Sequence, residues 1–271
     1  MNAPAIALKQ VAVVAAGKAL LDIESLSIAH GERVAIIGPN GAGKSTLLRL
    51  LSGFLAPACG TTSVGGLLVH KDMQAQELRA LRRQVGQVMQ GLHLVARVSA
   101  IDNVLIGCLG RVTGWRSWLR VHAPTDIASA QQALQSMGMV AKAQTRTDKL
   151  SGGERQKVAI ARLLLQNPSV ILADEPTAAL DPAAAVEVCK LLVAAAHNAT
   201  MITVIHNPAL IHSIADRVIG LKEGKVAFDV PAASVTELQL SSLYRATPTP
   251  QAAHWQVHAH AASQTARTIS S

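Results

Sequence analysis

Apolar positions in this chain fall into two kinds of run. Residues 33–38, 170–174 and 201–205 are short, nearly unbroken apolar stretches, the mark of strands buried on both faces. Residues 45–52 and 183–196 instead space their apolar side chains at helical intervals. A strand, a Gly-rich turn and a helix therefore occupy 33–52, and a strand–helix–strand unit ends at 205. Such alternation predicts an α/β fold with a parallel sheet. Lys222, Glu223, Gly224 and Lys225 separate the apolar runs 218–221 and 226–228, as the turn of a hairpin would. From 91 to 150 the pattern breaks into helical pieces interrupted by Gly107, Gly110 and Gly114, with Trp115 and Trp118 close by, and this predicts a helical insertion. Beyond Tyr244 the chain turns to Thr, Pro, Ala, Gln, Ser and His. Residues 246–271 hold too little apolar surface to offset the entropy of ordering, so a mobile tail is expected there. Its His254, His258 and His260 read as solvated side chains rather than as a metal cluster.

At 271 residues and 49% hydrophobic content the chain can bury one large core, and one globular unit is expected. The most apolar helical stretch, 183–196, contains Glu187 and Lys190, and no uncharged run reaches the roughly 18 residues of a membrane span. Nothing at the N-terminus reads as an export signal, which points to the cytosol. Cys59, Cys108 and Cys189 have neither metal nor redox spacing, so reduced, mostly packed thiols are expected. The net charge of +8 raises the question of nucleic acid, but aromatic residues make up only 2% and no dense Lys/Arg run occurs. A nucleic-acid partner is not expected. The positive charge suits a peripheral subunit near an anionic membrane face.

Three segments hold candidate chemistry. Gly38, Pro39, Asn40, Gly41, Ala42, Gly43, Lys44 and Ser45 satisfy the phosphate-binding-loop pattern between a strand and a helix. Glycines let backbone N–H groups converge on phosphate oxygens, and the helix N-terminus adds favourable partial charge. Lys44 would reach the β- and γ-phosphates, and the Ser45 hydroxyl would ligate Mg²⁺, with Thr46 a weaker candidate. The strand 170–174 ends in Asp174 and Glu175, which a parallel strand delivers to the ligand-binding edge of its sheet. Asp174 would hold Mg²⁺ and Glu175 would act as general base. The third segment, Ser151, Gly152, Gly153 and Glu154, opens an apolar helical run, so a second helix N-terminus is available to an anion. Taken alone, Ser151 and Glu154 are equally an ordinary capping box.

Together with Ala179, Leu180, Asp181 and His206, these segments stand in the order used by the ATP-binding cassette family, which residues 5–230 resemble throughout. The resemblance implies a P-loop NTPase parallel-sheet core with an antiparallel β part and a helical subdomain inserted at about 91–150, within a domain spanning 5–245. It also implies two such subunits, here a homodimer, sandwiching ATP and Mg²⁺ head to tail, so that Ser151, Gly152, Gly153 and Glu154 of one subunit serve the phosphate loop of the other. On the same resemblance Gln90 matches the glutamine that touches Mg²⁺ and water and couples to a membrane permease. Asp181 matches an aspartate bridging the two sites, and His206 a histidine contacting the γ-phosphate.

Residues 103–111 with Trp115 and Trp118, 171–177 and 215–225 are most similar to the ATP-binding subunits of phosphonate importers. That similarity implies a subunit on the cytosolic side of the inner membrane, beside a permease and, indirectly, a periplasmic binding protein. The sequence departs from the pattern in two places, the first being the signature's end, Glu154, Arg155 and Gln156, where the phosphonate subgroup is more often Gln-rich. Second, where an aromatic residue usually stacks on adenine, this chain has Val14, Ala15, Ala16 and Gly17. The alternatives are a cassette ATPase for another cargo or for export, and a soluble cassette protein acting on DNA or ribosomes, though the latter would show tandem cassettes or a long coiled coil; a P-loop kinase would leave the Ser-Gly-Gly segment without a role.

Overall fold

The computed structural model describes residues 3–111, 122–178 and 180–245. Trp115, Trp118, Ala179 and the 246–271 segment, with its three histidines, lie outside the described residues.

The chain begins with a hairpin of β1 (Ile6–Ala15) and β2 (Lys18–Ile28). Ala16 and Gly17 form its turn with φ of 49° and 75°, the pair of left-handed conformations that a tight two-residue connection requires. β1 buries Ile6 and Leu8, then Val11 and Val13. The alternation slips by one residue at Gln10, whose φ of 51° marks a bulge. β4 (Cys59–Val64) pairs antiparallel with β1, and β5 (Leu67–Val69) with β4, giving a four-stranded antiparallel sheet.

A second sheet has the order β10-β9-β3-β8-β7-β6. β3 (Arg33–Ile37), β6 (Val85–Val88), β7 (Val170–Asp174), β8 (Thr200–Val204) and β9 (Arg217–Lys222) run parallel, and β10 (Lys225–Pro231) pairs antiparallel at the edge. The run read at 201–205 thus lies one residue earlier as a strand. Its central strands β3, β7 and β8 are buried on both faces, which is why they read as nearly unbroken apolar runs, whereas the edge strand β10 is half-exposed. Val34, Ile36, Leu172, Ile202 and Val204 face α1 (Lys44–Leu51) and the antiparallel sheet. Ala35, Ile37, Ile171, Ala173 and Met201 face the opposite helical layer.

That layer contains α3 (Ala100–Leu105), α4 (Pro124–Ser136), α5 (Gly152–Gln166) and α6 (Pro182–Ala195), with α5 packed on the other three. α2 (Ala75–Gln84) leads into β6, the short α7 (Ile211–Ile214) leads into β9, and α8 (Glu237–Tyr244) lies against β9. The described residues of 91–150 form helices and turns joined by a single bridge, Ser99 to Arg146. Cys108 and Cys189 are buried, and burial pushes the Cys189 thiol up to about 11; Cys59 is exposed. Among the described residues no helix is long and apolar enough to cross a membrane.

Candidate functional site

Strand order brings the candidate residues together. β3, β8, β7 and β6 are consecutive neighbours, with Ile36 level with Val204, Val204 with Asp174, and Ala173 with Val88. The segments leaving their carboxyl ends therefore lie side by side: the phosphate loop after β3, His206 after β8, Glu175 after β7 and Gln90 after β6.

The phosphate loop is shaped by close packing. A Cβ on Gly38 (φ 153°) would meet the Leu221 carbonyl oxygen at 2.2 Å, and one on Gly43 (φ 102°) would sit 2.8 Å from Leu21 Cδ2. Gly43 is also the N-cap of α1, without any side-chain cap, so the first N–H groups of that helix are left for a ligand. Lys44 is 6% exposed and folds back, donating to the carbonyls of Gly38 at 2.7 Å and Pro39 at 3.0 Å. Burial pushes its pKa down, while Glu175 and Asp174 pull it up. Pro39 is half-buried, Asn40 and Ser45 are exposed, Ala42 is buried and Thr46 lies between.

Asp174 is buried at 8% exposure, and the Ser45 hydroxyl lies beside its carboxylate. Burial and then the neighbouring Glu175 charge push its pKa up, against Ser45 and Lys44. Its Oδ1 has no hydrogen-bond partner among the described residues. An unpartnered buried carboxylate oxygen beside a serine hydroxyl fits a hard cation such as Mg²⁺. No cluster of three or more His, Cys, Asp or Glu side chains is placed to hold a metal among the described residues.

Glu175 follows with φ of 49°, a conformation disfavoured for a residue with a side chain. Its N–H is tied to the Val204 carbonyl at 3.2 Å. Both carboxylate oxygens are engaged: Oε2 accepts from Gln90 Nε2 at 3.0 Å, and Oε1 lies 2.5 Å from His206 Nε2. Phosphate loop, Ser45–Asp174 pair and Gln90–Glu175–His206 chain thus form one constellation.

Ser151 lies apart from it. Its hydroxyl accepts from the Glu154 N–H at 3.2 Å, and Glu154 Oε2 accepts from the Ser151 N–H at 2.9 Å, a complete capping box on α5. Glu154 is also ion-paired with Lys142, which, with the Ser151 N–H bond, pulls its pKa down. Among the described residues, neither Ser151 nor Glu154 hydrogen-bonds to the phosphate loop of its own chain. Asp181 caps α6, its Oδ1 accepting from Ala183 N at 3.0 Å and Ala184 N at 2.9 Å. One neighbour of the loop was not foreseen from sequence. The Tyr244 phenol on α8 lies beside the Gly38 backbone, and Lys222 Nζ holds that helix end through the carbonyls of Ser242 at 3.1 Å and Arg245 at 2.9 Å. Tyr244 is the chain's one tyrosine, the only cue the sequence offered.

A phosphate loop on a parallel sheet with acidic and polar groups at the neighbouring strand ends defines a P-loop nucleoside-triphosphate-binding protein. The pattern of the family described as ABC transporter matches residues 21–178, and the chain belongs to that family. A phosphonates import ATP-binding protein of Anaeromyxobacter dehalogenans is 47% identical over 224 residues, which are 82% of this chain. This chain spans only 44% of that longer relative. Its counterpart in Nitratidesulfovibrio vulgaris is 41% identical over 230 residues, 84% of this chain and 86% of that one. A solved dimeric post-hydrolysis state of an ATP-binding cassette, bound to ADP and Pi, matches with a TM-score of 0.72 and 29% identity, over 84% of this chain and 98% of its own.

Proposed function

We propose that this chain is the ATP-hydrolysing subunit of an import system, that two copies close around shared ATP sites, and that the cargo passing through the associated permease is a phosphonate or related oxyanion. The observation behind the hydrolytic part is the convergence of Lys44, Ser45, Asp174, Glu175, Gln90 and His206 at one sheet edge. The relatives' names support the cargo. Gly38, Pro39, Asn40, Gly41, Ala42, Gly43, Lys44, Ser45 and Thr46 hold the ATP phosphates. Lys44 exchanges its two loop carbonyls for phosphate oxygens, a charge-assisted contact that a desolvated ammonium favours. Ser45, Asp174 and Gln90 hold Mg²⁺, which when bound neutralises charge on the β- and γ-phosphates. Glu175 takes the proton of the attacking water, oriented by Gln90 on one oxygen and His206 on the other.

The domain spans 5–245, with its helical insertion at about 91–150. It works on the cytosolic face of the inner membrane, and a periplasmic binding protein delivers cargo to the permease. A basic groove lined by Arg82, Arg83, Arg111 and Arg162, with Phe54 58% exposed under the Arg82 guanidinium, is the surface offered to the permease.

Ser151, Gly152, Gly153, Glu154 and Asp181 serve the ATP held by the partner's phosphate loop. Defined heterodimers with equal lesion counts test this. In one species, one subunit has Lys44→Ala and the other Ser151→Arg; in the second, one subunit has both changes and its partner neither. A shared site places both lesions of the first species together and leaves the other site whole, so the first is the more active. A higher ATPase rate for the second species would refute sharing. An inactive native chain would refute the hydrolytic reading itself.

A further inference from the structure

The segment after Gln90 is held in an unusual way. Leu92 and His93 have φ of 57° and 44°, two successive side-chain-bearing residues in the left-handed region. Each is disfavoured there, and such a pair persists only where its surroundings over-determine it. Local bonds contribute: Leu92 N–H donates to Met89 O at 2.8 Å, and His93 N–H to Gly91 O at 2.6 Å. The long-range restraint is Arg162, on α5, whose Nη2 donates to Leu92 O at 2.8 Å and Nη1 to His93 O at 2.9 Å.

Arg162 has no carboxylate partner among the described residues. Burial alone pushes its pKa down. A largely desolvated guanidinium without a counter-ion is costly, so the two carbonyls are its compensation. The next residue fixes the same turn of α5 to β6. A Cβ on Gly86 would lie 2.3 Å from Leu163 Cδ1, so Leu163 sits directly against the strand that leads to Gln90. Consecutive residues of α5 thus grip both the strand before Gln90 and the loop after it. Ser151 stands at the other end of the same helix, about 16 Å away at 1.5 Å per residue.

We infer that Arg162 is a positioning residue for Gln90, clamping the loop at Leu92 and His93 so that the Ser151 end of α5 and the Gln90–Glu175 contact move as one body. A nucleotide engaged at Ser151 is then felt at the water-orienting glutamine through one rigid helix, a link that rests on the hydrolytic reading of Gln90 and Glu175. Lysine cannot reproduce the fork, since its single ammonium lacks the planar pair of donors.

The test uses the full chain with ATPase rate, ATP dissociation constant and melting temperature measured together. Arg162→Lys lowers kcat by about tenfold while the dissociation constant changes less than about twofold, because Lys44 and its loop are untouched. In a Gln90→Ala background the same change costs less than about twofold, since the residue it acts through is gone. Glycine at both Leu92 and His93, which accepts left-handed φ freely, restores part of the rate to Arg162→Lys. Equal losses in both backgrounds, or a native rate for Arg162→Lys, overturn the inference. If Arg162→Lys melts well below the native chain, Arg162→Gln takes its place, being neutral and so less costly to bury. A chain that folds with neither would make Arg162 a core residue and overturn the proposal as well. A native chain without ATPase activity would sink the hydrolytic reading, whereas an active one with additive losses sinks only the clamp.

Discussion

Replacing Asp174 with Asn should make the nucleotide-free protein more stable while removing its Mg²⁺-dependent response to ATP. Asp174 is 8% exposed, one of its oxygens has no partner among the described residues, and Glu175 is its immediate neighbour. Burial and then that charge raise its pKa. A carboxyl whose folded pKa lies above the unfolded value, about 3.9, contributes stability that is fully present below the unfolded pKa and is lost as pH rises through the folded one. At neutral pH the ionised group is therefore a net cost to the free protein. A neutral amide of the same shape can still meet Ser45. Removing the buried charge while keeping the side chain's shape is worth about 1–2 kcal/mol, which for a domain of this size raises Tm by about 2–8 °C. Bound MgATP stabilises the native chain by about 2.7 kcal/mol at a hundredfold excess over Kd, and the variant should lose most of that gain. Thermal scans with and without MgATP, at neutral pH and again toward pH 4, separate the effects; the advantage of Asn shrinks as Asp174 itself becomes protonated. A lower or unchanged Tm without nucleotide would refute the account of Asp174 as an incompletely compensated buried charge. An intact Mg²⁺-dependent shift would remove it from the metal site.

Two further outcomes follow from the geometry. Glu175→Gln keeps the side chain's shape between Gln90 and His206 but removes the base, so hydrolysis should slow by about 10²–10⁴-fold while ATP binding persists, and ATP-dependent dimers should accumulate; only monomer on size exclusion with saturating MgATP would count against the paired arrangement. An aromatic residue at Ala15 should tighten ATP binding by about 1–3 kcal/mol through stacking on the base, whereas Ala16 is the poorer site because its φ of 49° strains a large side chain; an unchanged Kd for Ala15→Tyr would place the adenine elsewhere, with Tyr244 beside Gly38 an aromatic to examine.

How much of this was legible depended on whether a residue's role was local. The runs at 33–38 and 170–174 announced β3 and β7 because a strand covered on both faces has no polar alternation to hide it. The 218–228 hairpin was equally plain, since Glu223 and Gly224 supply its two left-handed positions. The antiparallel sheet was expected only through family resemblance: the bulge at Gln10 shifts the period of β1 midway, and β5 is three residues long. The resemblance likewise supplied Gln90 and His206, whose meeting on Glu175 joins residues 85 and 31 positions away. Arg162 was missed because it acts on the backbone carbonyls of Leu92 and His93, and backbone partners leave no trace in residue identity; Tyr244 was missed because it reaches Gly38 only through the fold.

Ser151 shows why one segment supported two readings. The capping box satisfies the N–H groups of Ser151 and Glu154, and Arg155 N–H donates to Ser151 O at 2.9 Å. The N–H groups of Gly152 and Gly153 have no acceptor among the described residues, and Ser151 and Gly152 are exposed. Capping and anion binding therefore do not compete: the cap holds the helix end open and leaves two glycine donors at its positive pole. Glu154 would repel a phosphate there, but its charge is drawn into the pair with Lys142, on the turn at Val140–Lys142. Two glycines that admit close approach, a serine that caps and a glutamate neutralised from the side make a helix end able to accept an anion from outside its own chain. Among the described residues none of these groups bonds to the chain's own phosphate loop, which is compatible with the proposed site completed by a second subunit.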